Sequence, residues 1–282
     1  KTEIYIPDRL KEGYGPNNSA IDFFYDNGIN TFITVDCGAT SIEPMIYASS
    51  KGMNSIIIDH HKVDNNLPVS YAHINPSRNE DNSGLNDLAA VGLTFIFVVG
   101  LRRTIRNNNI FPDINEPSLK QYLDLVALGT VCDVVQLRGL NRAFVKEGID
   151  IISKNSRLGI DGLISISGSK DIGVTELGYR IGPRINAAGR TGASDLGVRL
   201  LTSNSEDEVL AISERLDNLN KQRQNIEETV LFEAINNVDN NIADKKLNTI
   251  PNSIIVSGKS WHLGVLGIVA SRLKDKYYRP SF

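Results

Sequence analysis

Short runs of strand-forming residues alternate with helical patterns in the first hundred residues. Residues 31–35 (TFITV) and 55–58 (SIII) are such runs, and the second is continuously apolar at its end. Continuous apolar character is typical of a strand that is covered on both faces. Residues 41–51, between the two runs, carry apolar side chains at helical spacing. This order predicts a strand–helix–strand unit with a parallel sheet and a right-handed crossover.

Helical spacing returns further along the chain, in residues 84–106, 117–132 and 141–154. Residues 157–200 mix short elements with glycines, which gives a less regular pattern. Residues 206–238 contain no glycine or proline and carry regularly spaced apolar residues among polar ones. That pattern predicts one long amphipathic helix with at most one break.

A strand-like segment, residues 252–257, and a helical segment, residues 265–276, follow the long helix. The whole pattern predicts an α/β fold, with a mostly parallel doubly wound sheet, a long connecting helix and the start of a second α/β domain. We place the first domain at residues 1–204, the connecting helix at 205–240 and the beginning of the second domain at 241–282.

Composition agrees with two soluble domains. The chain has 282 residues, of which 41% are hydrophobic and 22% charged, as is usual for globular proteins of two domains. Cys37 and Cys132 lie far apart inside apolar runs, so we expect no disulfide and a cytoplasmic location. The apolar stretch at 88–101 is too short to cross a bilayer. The sequence begins with Lys1 rather than with a methionine, and its first residues lack the pattern of a signal peptide. This indicates the interior of a longer protein.

Acidic and imidazole side chains stand at the ends of both predicted strands. Asp36 follows the first strand, and Asp59-His60-His61 follows the second. Ligands of open α/β sheets bind beyond the carboxyl ends of the strands, so these side chains should meet at one crevice. Carboxylates and imidazoles there suit a divalent metal. The alternative is that Asp36 and Asp59 each cap a following helix.

A third carboxylate lies in an unusually apolar setting, at Asp133 within residues 128–135 (LGTVCDVV). A cation would offset the cost of burying it. The alternative is a surface aspartate at the end of a helix.

Residues 182–190 (GPRINAAGR) form a basic segment with small side chains, which would let a phosphate backbone approach closely. Arg184 and Arg190 flank Asn186, and guanidinium groups bind phosphate in a bidentate manner. A solvated basic loop is the alternative.

Four further candidates for contacts with nucleic acid lie near the end of the chain: Trp261, His262, Ser271 and Arg272. Trp261 fits interdomain packing equally well, and a helix-surface arginine is the commoner explanation of Arg272. The net charge of −3 excludes a strongly basic coat but not a local basic groove.

These segments together resemble the DHH phosphoesterases, and within that superfamily the RecJ-type exonucleases. Residues 35–38 (VDCG), 59–61 (DHH) and 129–133 (GTVCD) are similar to superfamily motifs. The features that resemble the RecJ type are found at residues 5–15, 74–76 (INP), 182–190 and 261–272. The resemblance covers essentially the whole chain.

The resemblance implies a metal-dependent exonuclease that degrades single-stranded DNA from its 5′ end in DNA repair and recombination. Asp36, His60 and Asp133 would bind metal, in a site for two Mn²⁺ or Mg²⁺ ions in the intact protein. Asp59 and His61 would line the site as catalytic residues, with His61 contacting the scissile phosphate. We expect a monomer with no membrane association.

The chain departs from the family pattern at both ends. No Asp-x-Asp-x-x-Gly sequence and no Gly-Gly-His sequence occurs in the 282 residues, and the OB-type domain of RecJ proteins is also missing. We therefore expect this segment alone to be nearly inactive. The alternatives within the superfamily are an oligoribonuclease, a cyclic-dinucleotide phosphodiesterase or a pyrophosphatase. A non-catalytic DNA-binding relative is a further alternative, although intact His60, His61 and Asp133 argue against it.

Overall fold

The structure is a computed structural model that describes residues 2–9, 11–155, 157–189, 193–244 and 250–282. Its sheet has three parallel strands in the order β1 (Thr31–Val35), β2 (Asn54–Ile58) and β3 (Ala72–Ile74). The predicted α/β class and parallel sheet are confirmed.

Helices make up most of the rest. They are α1 (Asn18–Asp26), α2 (Ile42–Ser50), α3 (Ala90–Asn107), α4 (Leu123–Cys132), α5 (Gly139–Asn155), α6 (Leu158–Ser167), α7 (Val174–Glu176), α8 (Gly182–Ala188), α9 (Leu196–Thr202), α10 (Glu206–Asp244) and α11 (Leu263–Tyr277). A 3₁₀ turn, Leu119–Tyr122, precedes α4, and a π-helical turn, Leu177–Ile181, leads into α8. No helix within these described ranges is long and apolar enough to cross a membrane.

Helices cover both faces of the sheet because side chains of a strand alternate between faces. Ile57 of β2 packs in a core with Met45 of α2 and Ile21 of α1. The neighbouring Ile58 points the other way and packs with Leu93 of α3. This doubly wound arrangement leaves the carboxyl edge of the sheet free to form a site.

The largest core of the described residues lies among the helices from α4 to α10. Almost every residue of α4 is apolar, and the helix is nearly all buried. It approaches α5 closely, since a Cβ atom on Gly148 would lie 2.1 Å from the carbonyl oxygen of Leu123. At the other end of α4, which Asp133 follows, a Cβ atom on Gly182 would lie 2.4 Å from Cys132 Sγ.

The long helix predicted at 206–238 is confirmed, and α10 continues without a break to Asp244. Its first half packs in the helical core, and its second half forms a separate core with α11 through residues such as Val230, Val265 and Val269. The strand expected at 252–257 is wrong, because the backbone there forms only one parallel bridge, between Ile254 and Ser281. The division of the chain at 204 and 240 remains a prediction.

Candidate metal centre at the carboxyl edge of the sheet

Asp36 lies at the point where β1 ends. Its backbone N–H still donates to the carbonyl of Ile58 at 3.0 Å, but its φ of 62° turns the chain away from the strand. Aspartate tolerates this left-handed conformation better than most residues. Gly38 completes the turn at φ 100°, where a Cβ atom would lie 2.7 Å from Thr34 Oγ1. The turn leaves the carboxylate of Asp36 half-exposed at the edge of the sheet.

Asp59, directly after β2, is buried and accepts several hydrogen bonds. Its Oδ2 accepts from the N–H of Ala39 at 3.0 Å, and its Oδ1 accepts from the N–H groups of His60 and His61 at 2.8 and 3.3 Å. Burial alone would raise the pKa of Asp59, but hydrogen bonds from the His61 side chain and from these N–H groups outweigh it, so the pKa is lowered. Asp59 is therefore an ionised anchor that ties the two strand ends together.

His61 is oriented by Asp59. Its Nδ1 lies 2.6 Å from Asp59 Oδ1, and half of the His61 side chain is exposed. A carboxylate that accepts from Nδ1 leaves the other ring nitrogen, Nε2, free to face a ligand.

His60 Nε2 lies between two carboxylates. It is 3.3 Å from Asp36 Oδ1 and 3.3 Å from Asp133 Oδ2. The atom is buried and finds no hydrogen-bonding partner among the described residues. The Asp36 carboxylate raises the pKa of His60 against the opposing effect of burial, and Asp133 adds to the rise. A buried nitrogen between two carboxylates is the arrangement expected where a cation completes the contacts.

Asp133 reaches the same point from the end of α4, where it is the C-terminal cap. Burial raises the pKa of its carboxyl group. The next residue, Val134, has φ 59° and is 87% exposed. A left-handed β-branched residue is strained, and such strain is found at functional sites. The structure thus brings together Asp36, His60 and Asp133, which are distant in sequence.

Two residues that follow β3, Asn75 and Ser77, hold the backbone of His60 and His61 in place. The sequence analysis gave these two residues no role. Asn75 donates from Nδ2 to the carbonyl of His61 at 2.9 Å, and Ser77 donates from Oγ to the carbonyl of His60 at 3.0 Å. Asn75 is only 3% exposed. The one sequence signal for Asn75 was its place in residues 74–76 (INP), which resemble the RecJ type.

Tyr14 forms one wall of the site, and the sequence analysis did not assign it this role. Its hydroxyl donates to the backbone carbonyl of Asp36, and its ring meets that of His61 edge-on at 6.1 Å. The guanidinium of Arg9 lies 5.3 Å from the ring centroid of Tyr14. Tyr14 is 60% exposed, so one aromatic surface faces solvent beside the centre.

The donor set suits a hard divalent cation. Asp36, Asp59, His60 and His61 each offer one potential ligand atom, and these atoms lie within 4.8 Å of one another. Asp133 joins them through His60. Carboxylate oxygens with one or two imidazoles favour Mn²⁺ or Mg²⁺ over a thiolate-preferring ion.

Comparison with known proteins agrees with the geometry. The chain is 35% identical to the single-stranded-DNA-specific exonuclease RecJ of Escherichia coli K12 over 99% of its own length and 49% of the relative. It is also 35% identical to RecJ of Bacillus subtilis 168, over its full length and 34% of the relative. The profile of the DHH family, N-terminal domain, matches residues 1–130. The first 130 residues therefore carry a DHH-family domain, and the chain as a whole is similar to RecJ exonucleases.

The likeness to solved structures covers nearly the whole chain. A crystal structure of exonuclease RecJ bound to manganese superposes with a TM-score of 0.82 and 31% identity, covering 99% of this chain and 66% of that one. RecJ from Thermus thermophilus in complex with Mn²⁺ superposes with a TM-score of 0.77 and 30% identity, covering 94% of this chain and 38% of that one. The chain spans 49% of the length of the Escherichia coli relative and 34% of the length of the Bacillus subtilis relative.

The residues predicted to contact nucleic acid have different surroundings in the structure. Gly182–Ala188 is helical with Pro183 in its first turn, so the alternative of a solvated basic loop does not hold for these residues. Asn186 is exposed on this helix, and Arg190 lies outside the described residues. Ser271 is exposed on α11, and His262 caps that helix by accepting from the N–H of Gly264 at 3.1 Å.

Arg184, Arg272 and Trp261 each contact an acidic residue of α10. Arg272 Nη2 lies 2.6 Å from Glu227 Oε1, although the arginine is still 56% exposed. Trp261 Nε1 donates to Glu233 at 2.7 Å. Arg184 pairs with Asp217 of α10, with Nη2 2.8 Å from Oδ1, and only 15% of the arginine side chain is exposed. Trp261 and Arg272 therefore link α10 to the segment around α11, while Arg184 links α10 to α8.

We expect Arg184→Ala to lower the free energy of unfolding by about 2–4 kcal/mol, because it leaves the buried Asp217 with only Lys221 as an ionic partner. Urea unfolding measures the loss. Arg184→Ala combined with Asp217→Asn should recover part of it, since the uncompensated charge is then removed. If the single variant is as stable as the parent while DNA affinity and its salt dependence both fall, Arg184 is a phosphate contact as first predicted.

Proposed function

We propose that this chain carries the metal-binding core of an exonuclease that hydrolyses single-stranded DNA from its 5′ end. The observation that carries the proposal is the convergence of His60 Nε2 with the carboxylates of Asp36 and Asp133. It occurs in a chain that matches RecJ exonucleases over essentially its full length.

The residues present fit Mn²⁺ or Mg²⁺, which supply a bound water of lowered pKa and stabilise the charge of the leaving oxygen. Asp36, His60 and Asp133 would hold the metal. A second ion needs further carboxylates, which an Asp-x-Asp segment would provide. Asp59 fixes the ring of His61, whose Nε2 would face the phosphate of the bond that is cleaved.

Tyr14 and Arg9 would receive the strand beside the metal. An exposed aromatic ring offers a stacking surface for a base, and this contact tolerates any sequence. The guanidinium of Arg9 over that ring adds positive charge for a phosphate. These two residues join the set of Asn186, Arg190, His262, Ser271 and Arg272 as proposed contacts with nucleic acid.

The setting of the activity follows from the same proposal. An enzyme that degrades single strands serves DNA repair and recombination in the cytoplasm. We propose that it does so as a monomer.

The direct test uses an oligonucleotide labelled at its 5′ end, incubated with Mn²⁺. The substrate is offered to the 282-residue chain and to a longer chain that adds an Asp-x-Asp-x-x-Gly segment. We expect the longer chain to release labelled mononucleotide from single-stranded DNA and to leave duplex DNA intact. Preference for RNA or for cyclic dinucleotides would assign the chain to another branch of the superfamily. Binding of DNA without hydrolysis by the longer chain would show a non-catalytic relative.

A further inference from the structure

The hydrogen-bond ladder between β2 and β3 ends just before the two histidines of the metal centre. Ile58 of β2 pairs with Ile74 of β3, and the last backbone bond runs from the N–H of Asp59 to the carbonyl of Ile74 at 3.0 Å. No backbone–backbone hydrogen bond reaches His60 or His61 in the part of the chain that the structure describes. Side chains therefore have to fix the peptide groups of these two residues.

Three side chains divide this task. Asp59 accepts from the N–H groups of His60 and His61, at 2.8 and 3.3 Å. On the carbonyl side, Ser77 Oγ donates to His60 at 3.0 Å. Asn75 Nδ2 donates to the carbonyl of His61 at 2.9 Å. Because Asp59 holds only the N–H groups, the bonds on the carbonyl side are what stop the histidine backbone from turning about its carboxylate.

Asn75 is the residue on which both carbonyl contacts depend. Its Oδ1 accepts from the N–H of Ser77 at 2.8 Å, across Pro76, which has no N–H of its own. This turn, in which an asparagine side chain bonds the backbone two residues on, places the hydroxyl of Ser77 beside the carbonyl of His60. Asn75 is buried and uses both ends of its amide, so the amide cannot rotate without losing both bonds.

The position of the histidine backbone matters because a metal centre tolerates only small errors. The distances from ligand atoms to a bound ion hold to within about 0.2 Å. His60 Nε2 lies 3.3 Å from a carboxylate oxygen of Asp36 and 3.3 Å from one of Asp133, so a shift of the His60 backbone would move the nitrogen away from one of them. Groups that orient metal ligands through hydrogen bonds typically contribute about 10- to 100-fold to metal affinity or activity.

We propose that Asn75 is a positioning residue of the metal centre, which fixes the carbonyl of His61 directly and that of His60 through Ser77. The proposal rests on the proposed metal-binding function. Both ends of the amide are engaged within the protein, so Asn75 acts through the histidine backbone rather than on the ion or on DNA. Its loss should therefore lower metal affinity and turnover while the affinity for DNA stays the same.

The test compares two asparagine-to-alanine variants, each of which removes a side-chain bond near the loop after β3. We expect Asn75→Ala to weaken Mn²⁺ binding to the 282-residue chain by at least about 10-fold in calorimetry. Asn86→Ala is the matched control, because Asn86 Nδ2 donates to the carbonyl of Pro76 at 3.0 Å and this bond involves neither histidine. It should bind Mn²⁺ like the parent. Calorimetry is performed at a temperature at which circular dichroism shows both variants to be folded.

Two further variants identify the bond that matters. Asn75→Ser keeps an acceptor for the N–H of Ser77 but is too short to reach His61, so it should bind Mn²⁺ about as weakly as Asn75→Ala. Ser77→Ala removes the bond to the carbonyl of His60 and should weaken binding by about 3-fold. If neither Asn75 variant folds, Ser77→Ala decides the matter, and parental affinity in it overturns the proposal.

Turnover gives a second measurement, made in a longer chain that includes an Asp-x-Asp-x-x-Gly segment. At saturating Mn²⁺, Asn75→Ala should lower kcat by at least about 10-fold and leave KM for single-stranded DNA unchanged. Parental Mn²⁺ affinity in folded Asn75→Ala, or in Asn75→Ser, overturns the proposal while the metal centre stands. A parent chain that binds no Mn²⁺ overturns the metal centre itself and the role of Asn75 with it.

Discussion

Asp133→Asn is expected to reduce Mn²⁺-dependent hydrolysis of single-stranded DNA by at least about 100-fold and to weaken Mn²⁺ binding by about 10- to 100-fold. The substitution keeps the shape of the side chain and removes one of the two carboxylates that lie 3.3 Å from His60 Nε2. An amide is a much poorer ligand for a hard cation than a carboxylate.

Turnover is measured in a longer chain that includes an Asp-x-Asp-x-x-Gly segment, and Mn²⁺ affinity is measured by calorimetry in the 282-residue chain. Asp113→Asn is the matched control, since it removes the same charge from an exposed loop. It should behave like the parent in both assays. If Asp133→Asn turns over at the parental rate, Asp133 is not a ligand of the metal.

Asp59→Asn should have the second large effect, on stability as well as on activity. The carboxylate accepts from three backbone N–H groups and from Nδ1 of His61 while it is buried. An amide cannot accept at both ends, so at least one buried donor loses its partner. We expect the free energy of unfolding to fall by about 2–4 kcal/mol.

The ring of His61 also loses its fixed tautomer, and we expect turnover to fall by at least about 100-fold in the longer chain even under conditions where the variant is folded. Urea unfolding followed by circular dichroism gives the stability, and the labelled-oligonucleotide assay gives the rate. If Asp59→Asn is stable but inactive, Asp59 serves the chemistry alone. If it is unstable yet turns over at the parental rate once folded, Asp59 is only a structural anchor.

The part of the fold that surrounds the metal centre could be predicted because its signals are local. β1 and β2 are runs of strand-forming residues that are each followed by an aspartate, and parallel strands align those ends at one edge. The apolar neighbours of Asp133 suggested a cation, because a buried carboxylate requires a partner. Its role as a metal ligand came from the family resemblance. β3 has only three residues, including His73, and was too short to show a pattern.

The failures arise from partners that lie far away in the sequence. Small residues around Arg184 left a solvated loop open as an alternative, but the segment is helical and Gly182 packs closely against Cys132. Its ionic partner, Asp217, lies 33 residues away on α10. Asn75 also acts through tertiary contacts, since its hydrogen bond to His61 spans 14 residues. No local pattern encodes such pairs.

The most direct test of the metal centre is anomalous diffraction at the manganese edge from crystals of this chain soaked in Mn²⁺. The structure predicts a peak at the carboxyl edge of the sheet, about 2.0–2.2 Å from His60 Nε2 and from one carboxylate oxygen each of Asp36 and Asp133. A fully occupied manganese peak elsewhere, with none between these three side chains, would contradict the assignment.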